Sequence, residues 1–194
     1  KGDKHSYLAM TIETNRRHYT VSMNGYITTL LADRKTRVVA SPATDAIFEE
    51  EDDPELLSEK DKKIFHSDVA KLLFLAKRVK MTCLAAVSAL ASKVTAPTVE
   101  DKKKLDRVFN YVATSRDQIM KFKVGGEINP IAFVDASHAT QPGRKSRTGI
   151  LLKIAGCAIG VWSVKQKLVT KSSTEAELVA LTEALTNIIW LRRF

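Results

Sequence analysis

Apolar and polar residues change their spacing three times along this chain. Over residues 7–13 and 19–23 they alternate with a period near two, and the polar stretch 15–18 separates the two runs; this predicts two short strands joined by a turn. Asn24-Gly25 then opens a helix with Tyr26, Ile27, Leu30 and Leu31 along one side. From residue 67 the period becomes helical. Ser67 reads as the N-cap of a helix over 68–80, whose stripe is Val69, Leu72, Leu73 and Ala76. A second helical stretch over 81–92 carries Leu84, Ala85, Val87 and Leu90, and Pro97 interrupts the pattern. A third helix starts at Thr95 or Thr98, with Leu105, Val108, Phe109 and Val112 at helical spacing.

Past Gly125-Gly126 and Asn129-Pro130 the period shortens again. Residues 131–136 read as a buried strand that ends at Asp135, and the polar stretch 137–146 as a loop. Two β-rich runs, 149–154 and 157–164, are joined through Ala155-Gly156, with 167–171 as a further pairing. Ser172-Ser173-Thr174 precedes a long helix that runs through Leu191. The expected class is α+β, in three segments: 1–42, a hairpin and a helix; 43–120, helical; and 121–194, strand, strand, strand, helix.

Composition narrows the class. With 194 residues, 44% hydrophobic and 27% charged, the chain is globular rather than disordered or fibrous. Its most apolar stretches, such as 72–76 and 150–152, fall far short of the roughly 18 residues a membrane span needs, and no signal peptide is expected. Two cysteines, Cys83 and Cys157, exclude a disulfide framework or a four-thiolate zinc site and point to a reducing compartment. A first residue of Lys rather than Met points to a piece of a longer product. Glu49, Glu50, Glu51, Asp52, Asp53 and Glu55 around Pro54 read as a solvated loop, because consecutive carboxylates converge poorly on one ion. The Lys102-Lys103-Lys104 run reads as a solvated face.

Charge adds a first hint of partners. Lys and Arg total 31 against 22 Asp and Glu, a net of +9. Residues 121–194 hold 11 basic and 5 acidic residues, against 20 and 17 in 1–120, so the C-terminal third is the basic part. Such a surface attracts polyanions, nucleic acid among them, and equally serves solubility.

Two carboxylates stand out. Advancing about 100° per residue from Glu177 puts Leu181, Ala184, Leu185, Ile188 and Leu191 within roughly 80° of it, with Glu175 and Glu183 on the opposite side. A carboxylate on an apolar face needs compensation, such as a metal ion or a catalytic role. Read alone, Thr174-Glu-Ala-Glu177 is more simply a capping box. Asp135, read alone, is more simply a turn residue at a strand end. Taken together, a strand-end Asp and a sheet-facing Glu can converge on one Mg²⁺ or Mn²⁺, ions that favour oxygen ligands. His138 reads as a solvated loop residue, and Trp162 and Trp190 as core. The chain has no GxGxxG, Walker loop or CxxC motif.

Val134-Asp135-Ala136-Ser137-His138-Ala139, Ser146-Arg147-Thr148-Gly149, Trp162-Ser163, Lys165-Gln166-Lys167, residues 172–181 (SSTEAELVAL) and Trp190-Leu191-Arg192 together resemble the ribonuclease H domain of copia-type retrotransposon polyproteins. The preceding chain resembles the same polyprotein. Tyr7-Leu8-Ala9-Met10 is similar to the primer-grip strand, and Val21-Ser22-Met23, Gly25-Tyr26-Ile27, Leu30-Leu31, Ser41-Pro42-Ala43 and Phe65-His66-Ser67 to the thumb and connection. Ala9 stands where the family usually has Gly, and Lys80-Met81-Thr82 where it has Arg-Pro-Asp.

The resemblance implies the end of a reverse transcriptase palm and start of a thumb over 1–42, a helical thumb and connection over 43–120, and a truncated ribonuclease H-like βββα unit over 121–194. It implies Asp135 and Glu177 as catalytic, metal-binding carboxylates, with Mg²⁺ or Mn²⁺ as cofactor. The implied partners are an RNA–DNA hybrid or primer–template and the remainder of the Pol polyprotein, with no membrane. The implied location is the cytoplasm, in virus-like particles, or the nucleus. In the family a third carboxylate follows this helix and a fourth comes later, so both active sites are expected to be incomplete here. A non-catalytic, basic nucleic-acid-binding remnant or an inactive pseudogene product remain the other readings. An integrase-type core fits less well, since there the helix carboxylate comes last of three.

Overall fold

The computed structural model describes residues 3–15, 17–49, 51–123, 125 and 129–193. Glu50 of the acidic run and Gly126 of the Gly-Gly pair lie outside them. The chain is mixed α and β, as its periodicities predict. By contact it divides into two compact units: residues 1–14 with 20–120, and residues 15–19 with 121–194.

The first unit begins with strands β1 (Lys4–Tyr7) and β2 (Met10–Asn15), followed by β3 (His18–Ser22). The single strand expected over 7–13 is therefore broken. Leu8 and Ala9 both adopt positive φ, 48° and 62°, and close a two-residue antiparallel turn with Tyr7 opposite Met10. Two successive left-handed residues match the right-handed twist of the flanking strands, which is why such turns prefer Asn-Gly. Neither Leu nor Ala advertises one. The left-handed conformation costs a residue with a Cβ roughly 1 kcal/mol. Ala9→Gly, the residue the resemblance leads one to expect, should raise the unfolding free energy of the full chain, read from urea titration, by up to about that amount; an unchanged free energy would contradict the strain.

Helices α1 (Asn24–Leu31), α2 (Glu59–Ala76), α3 (Leu84–Ala91) and α4 (Val99–Thr114) build the rest of the unit. Phe65, Val69, Leu72 and Leu75 of α2 are buried, as are Leu84, Val87 and Leu90 of α3 and Leu105, Val108, Phe109 and Val112 of α4. Helix α2 starts nine residues earlier than its apolar stripe suggests. Ser58, not Ser67, is its N-cap, with Oγ accepting from Asp61 N at 3.1 Å. Helix α4 starts at Thr98 through a full capping box with Asp101, settling the choice between Thr95 and Thr98. Glu51–Glu55 are exposed. Lys102 and Lys103 are exposed and engage Asp61 and Glu100, so this run serves the unit's own surface.

Strand β4 (Met120–Lys123) precedes the second unit's main sheet, an antiparallel meander of β5 (Ile131–Gln141), β6 (Lys145–Ile154) and β7 (Cys157–Lys165) in that spatial order. Helix α5 (Ser173–Arg192) packs on it. The turn between β6 and β7 is Ala155-Gly156, both at positive φ. Three expectations fail here. The stretch 137–146 is mostly strand, so Asp135 lies mid-strand rather than at an end. Its polar residues enter the sheet because they find partners: Ala139 N donates to Ser146 Oγ, which lies 2.8 Å from Thr170 Oγ1. The register slips between Ser137 and Gln141, where Ala139 takes φ 54°. Residues 167–171 add no strand.

The third failed expectation concerns the buried face of α5. Ala176, Ala180 and Ala184 are fully buried, while Leu178, Leu181, Leu185 and Trp190 are exposed. The core beneath the helix is Ile150, Leu152 and Ala184, with Ala132, Val134, Ile159, Trp162, Ile188 and Leu191 packed against it. Alanines on the inner face let the helix backbone approach the sheet closely, and the leucines are left on the flank. Trp162 belongs to this core; Trp190 does not.

Candidate active site

Strand alternation decides where each side chain of β5 points. Ala132 and Val134 pack under α5, so Ile131, Phe133, Asp135 and Ser137 leave the strand on the other face. Ile131 and Phe133 are 52% and 54% exposed there. Opposite Asp135 on β6 is Gly149, which puts no side chain beside the carboxylate.

In the β5-β6-β7 sheet β5 is an edge strand, and alternate N–H groups of an edge strand point outward. The N–H of Ala136 is one of them, and it donates to Glu177 Oε1 at 3.2 Å. By peptide geometry that oxygen lies within about 6 Å of the Asp135 Cα. Glu177 is exposed and reaches the open edge of β5 from the α5 side; Asp135 leaves the same stretch of backbone from the opposite face. The Ala136 amide thus ties Glu177 to the backbone next to Asp135, while the two side chains leave that backbone on opposite sides. A shallow groove lined by Val134, Thr174, Glu177, Leu178 and Leu181 borders it.

The capping reading of Glu177 is overturned. The N-cap of α5 is Ser172, whose Oγ accepts from Glu175 N at 3.2 Å. Glu175 accepts from Lys171 N, one residue before the N-cap, at 2.6 Å. The cap therefore sits two residues upstream of the Thr174 pattern and leaves Glu177 available to the strand.

His138 is not a solvated loop residue. It is half-buried on β5, with Nδ1 3.2 Å from Thr170 Oγ1 and 3.5 Å from Ser146 Oγ. This polar knot anchors the segment that leads into α5. Sequence reasoning missed it, and missed Gln166 as well, because a polar side chain carries no periodic signal of its own burial.

Two carboxylates suit a hydrated divalent cation, which keeps several waters and takes one or two protein carboxylates. Among the described residues no group of three or more His, Cys, Asp or Glu gathers that could hold a metal. Elsewhere in the unit, His18 is held below the ordinary imidazole range by partial burial and then by the charges of Lys121, Arg17 and Lys123. Among the described residues no helix is long and apolar enough to cross a membrane.

No protein-family model matches the chain, and no solved structure does. Curated relatives do match. Over 126 residues the chain is 30% identical to secreted RxLR effector protein 161 of Plasmopara viticola, covering 64% of this chain and 89% of that protein. Over 159 residues it is 26% identical to the transposon Ty1-DR6 Gag-Pol polyprotein of Saccharomyces cerevisiae, covering 78% of this chain and 9% of the polyprotein. Over 72 residues it is 44% identical to the retrovirus-related Pol polyprotein from transposon TNT 1-94 of Nicotiana tabacum, covering 36% of this chain and 5% of that polyprotein.

Proposed function

The chain belongs to the family of secreted RxLR effector protein 161 and is homologous to retrotransposon Pol polyproteins; from that premise we propose that it carries part of a ribonuclease H-like site. In this reading residues 131–192 are the βββα portion of a domain that, within the intact polyprotein, cleaves the RNA of RNA–DNA hybrids. Residues 1–120 are the end of the palm, the thumb and the connection of a reverse transcriptase, which hold the primer–template. Such a polyprotein works in virus-like particles in the cytoplasm and delivers its product to the nucleus.

The observation that supports the reading is the bond from Ala136 N to Glu177 Oε1, which holds Glu177 against the backbone next to Asp135. Asp135 and Glu177 would hold Mg²⁺ or Mn²⁺ at the open edge of β5. Metal ions held in such a site would activate the attacking water and steady the charge on the leaving oxygen, one ion of a pair for each. The Ala136 N–H fixes one Glu177 oxygen. Asp135, with Gly149 opposite, stays clear for a phosphate to approach.

A second reading, a nucleic-acid-binding remnant without catalysis, is favoured by two observations: among the described residues no group of three or more acidic, His or Cys side chains gathers that could hold a metal, and the charges of Arg17, Lys121 and Lys123 act on His18. One assay separates the two. On a labelled hybrid duplex with Mg²⁺, Asp135→Asn and Glu177→Gln should each lower cleavage by more than about 100-fold, beyond what loss of an outer ligand partner costs. Salt-dependent binding with no cleavage in the parent chain would select the second reading. Neither binding nor cleavage would set both aside, leaving an inactive product.

A further inference from the structure

Gln166 is 1% exposed, deeper than any carboxylate of the site. Its backbone N–H donates to Ser146 O at 2.8 Å. Its Nε2 donates twice, to Thr148 Oγ1 at 3.1 Å and to Ala176 O at 2.9 Å. The first partner is on β6, the second in the first turn of α5. The Ala176 carbonyl, inside the helix, already accepts the N–H four residues on, so Gln166 takes its remaining lone pair. The helix does not need this bond to form.

The bonds close a circuit. Thr148 pairs in register with Ala136. Ala136 N–H donates to Glu177. Glu177 follows Ala176, which Gln166 ties back to Thr148. The amide orientation is fixed within it, because the Ala176 carbonyl can only accept. We propose that Gln166 is a positioning residue: it holds the first turn of α5 against β6 and thereby sets the Glu177 carboxylate on the edge of β5 beside Asp135. Its role in catalysis rests on the reading of Glu177 as a metal-binding carboxylate; its role in placing Glu177 does not.

A buried polar side chain that merely stabilises the unit would affect every part of the sheet alike. A positioning residue acts locally. The Ala136 amide reports the difference, because its acceptor is the side chain being positioned. The Leu152 amide, in the central strand of the same sheet, follows only opening of the sheet as a whole.

The experiment is amide hydrogen exchange on the full chain without metal, read as the ratio of Ala136 to Leu152 protection. Glu177→Ala sets the floor of that ratio. Gln166→Met, of similar volume and unable to donate, is expected to lower it at least about tenfold, toward that floor. Should Gln166→Met fail to fold, Thr148→Val removes the β6 end of the same tie and is expected to lower the ratio in the same direction. A ratio unchanged in the folded variant overturns the proposal. The two claims fail separately: if the hybrid assay finds no cleavage, the ratio still tests the positioning. If the parent chain does cleave, Gln166→Met should lower that cleavage by about tenfold.

Discussion

Asp101→Ala is expected to remove about 3 kcal/mol from the stability of the helical unit, measured as a lower urea midpoint with an unchanged slope. Asp101 is 1% exposed and serves two ends of the structure at once. Its Oδ2 accepts from Thr98 N at 3.1 Å, closing the capping box of α4, and its Oδ1 meets Lys93 Nζ at 2.9 Å. Losing the cap alone costs about 1 kcal/mol. Stranding a partly buried lysine adds more, though less than the roughly 3–5 kcal/mol for a fully buried pair, since Lys93 keeps some contact with water. Asp101→Asn keeps the cap acceptor and loses the charge, so it should cost about 1 kcal/mol less than Asp101→Ala. Equal losses for the two variants would show that the cap contributes nothing and the ion pair carries the whole effect.

The second large effect appears at alkaline pH. Cys83 is buried beside Lys80, and burial pushes its thiol from an ordinary value of 9.0 up to about 12. Above pH 9 the unfolded chain releases this proton while the folded chain keeps it. Stability therefore falls between pH 9 and 12, by about 1.4 kcal/mol per pH unit and about 4 kcal/mol in all. Lys80 works against this. It is 2% exposed, its ammonium donates to the carbonyls of Ser115 and Gln118, and burial holds it below 10.5. The unfolded chain then binds more protons at this site until pH exceeds 10.5, so the Lys80 contribution rises with pH. In urea titrations from pH 8 to 11, Cys83→Ala should flatten the decline and Lys80→Met should steepen it. Parallel pH profiles for all three proteins would refute the assignment.

Legibility from sequence followed the range of the interactions. Helix α4 and the Ala155-Gly156 turn are local, and caps, periodicity and turn residues predict them. The start of α2 was hidden because its first turns are charged and the signal is a single pair, Ser58 with Asp61. The extension of β5 and β6 through polar residues depends on Thr170, some 24 positions from Ser146, which no local pattern encodes. The helical wheel of α5 was drawn on large apolar residues, whereas close packing selected the alanines. That moved Glu177 from the centre of an inferred apolar stripe to its margin, exposed, at the strand edge. Both acidic residues stand out in the sequence, but the bond of Glu177 to the Ala136 amide does not. Gln166 stands in a motif whose neighbours are lysines, and nothing in that context marks it as the most enclosed of the three.

The alanines at 176, 180 and 184 act as a gauge block between helix and sheet. Because each contributes only a methyl group, the gap they set is near its minimum, and almost any replacement can only widen it. Widening lifts the first turns of α5 and draws the carboxylate of residue 177 off the strand, although none of the three alanine side chains is a ligand, an acid or a base. A descendant could thus lose the alignment of its acidic pair by mutations that spare every polar residue. Inspecting only the polar positions of such a sequence would pronounce it intact.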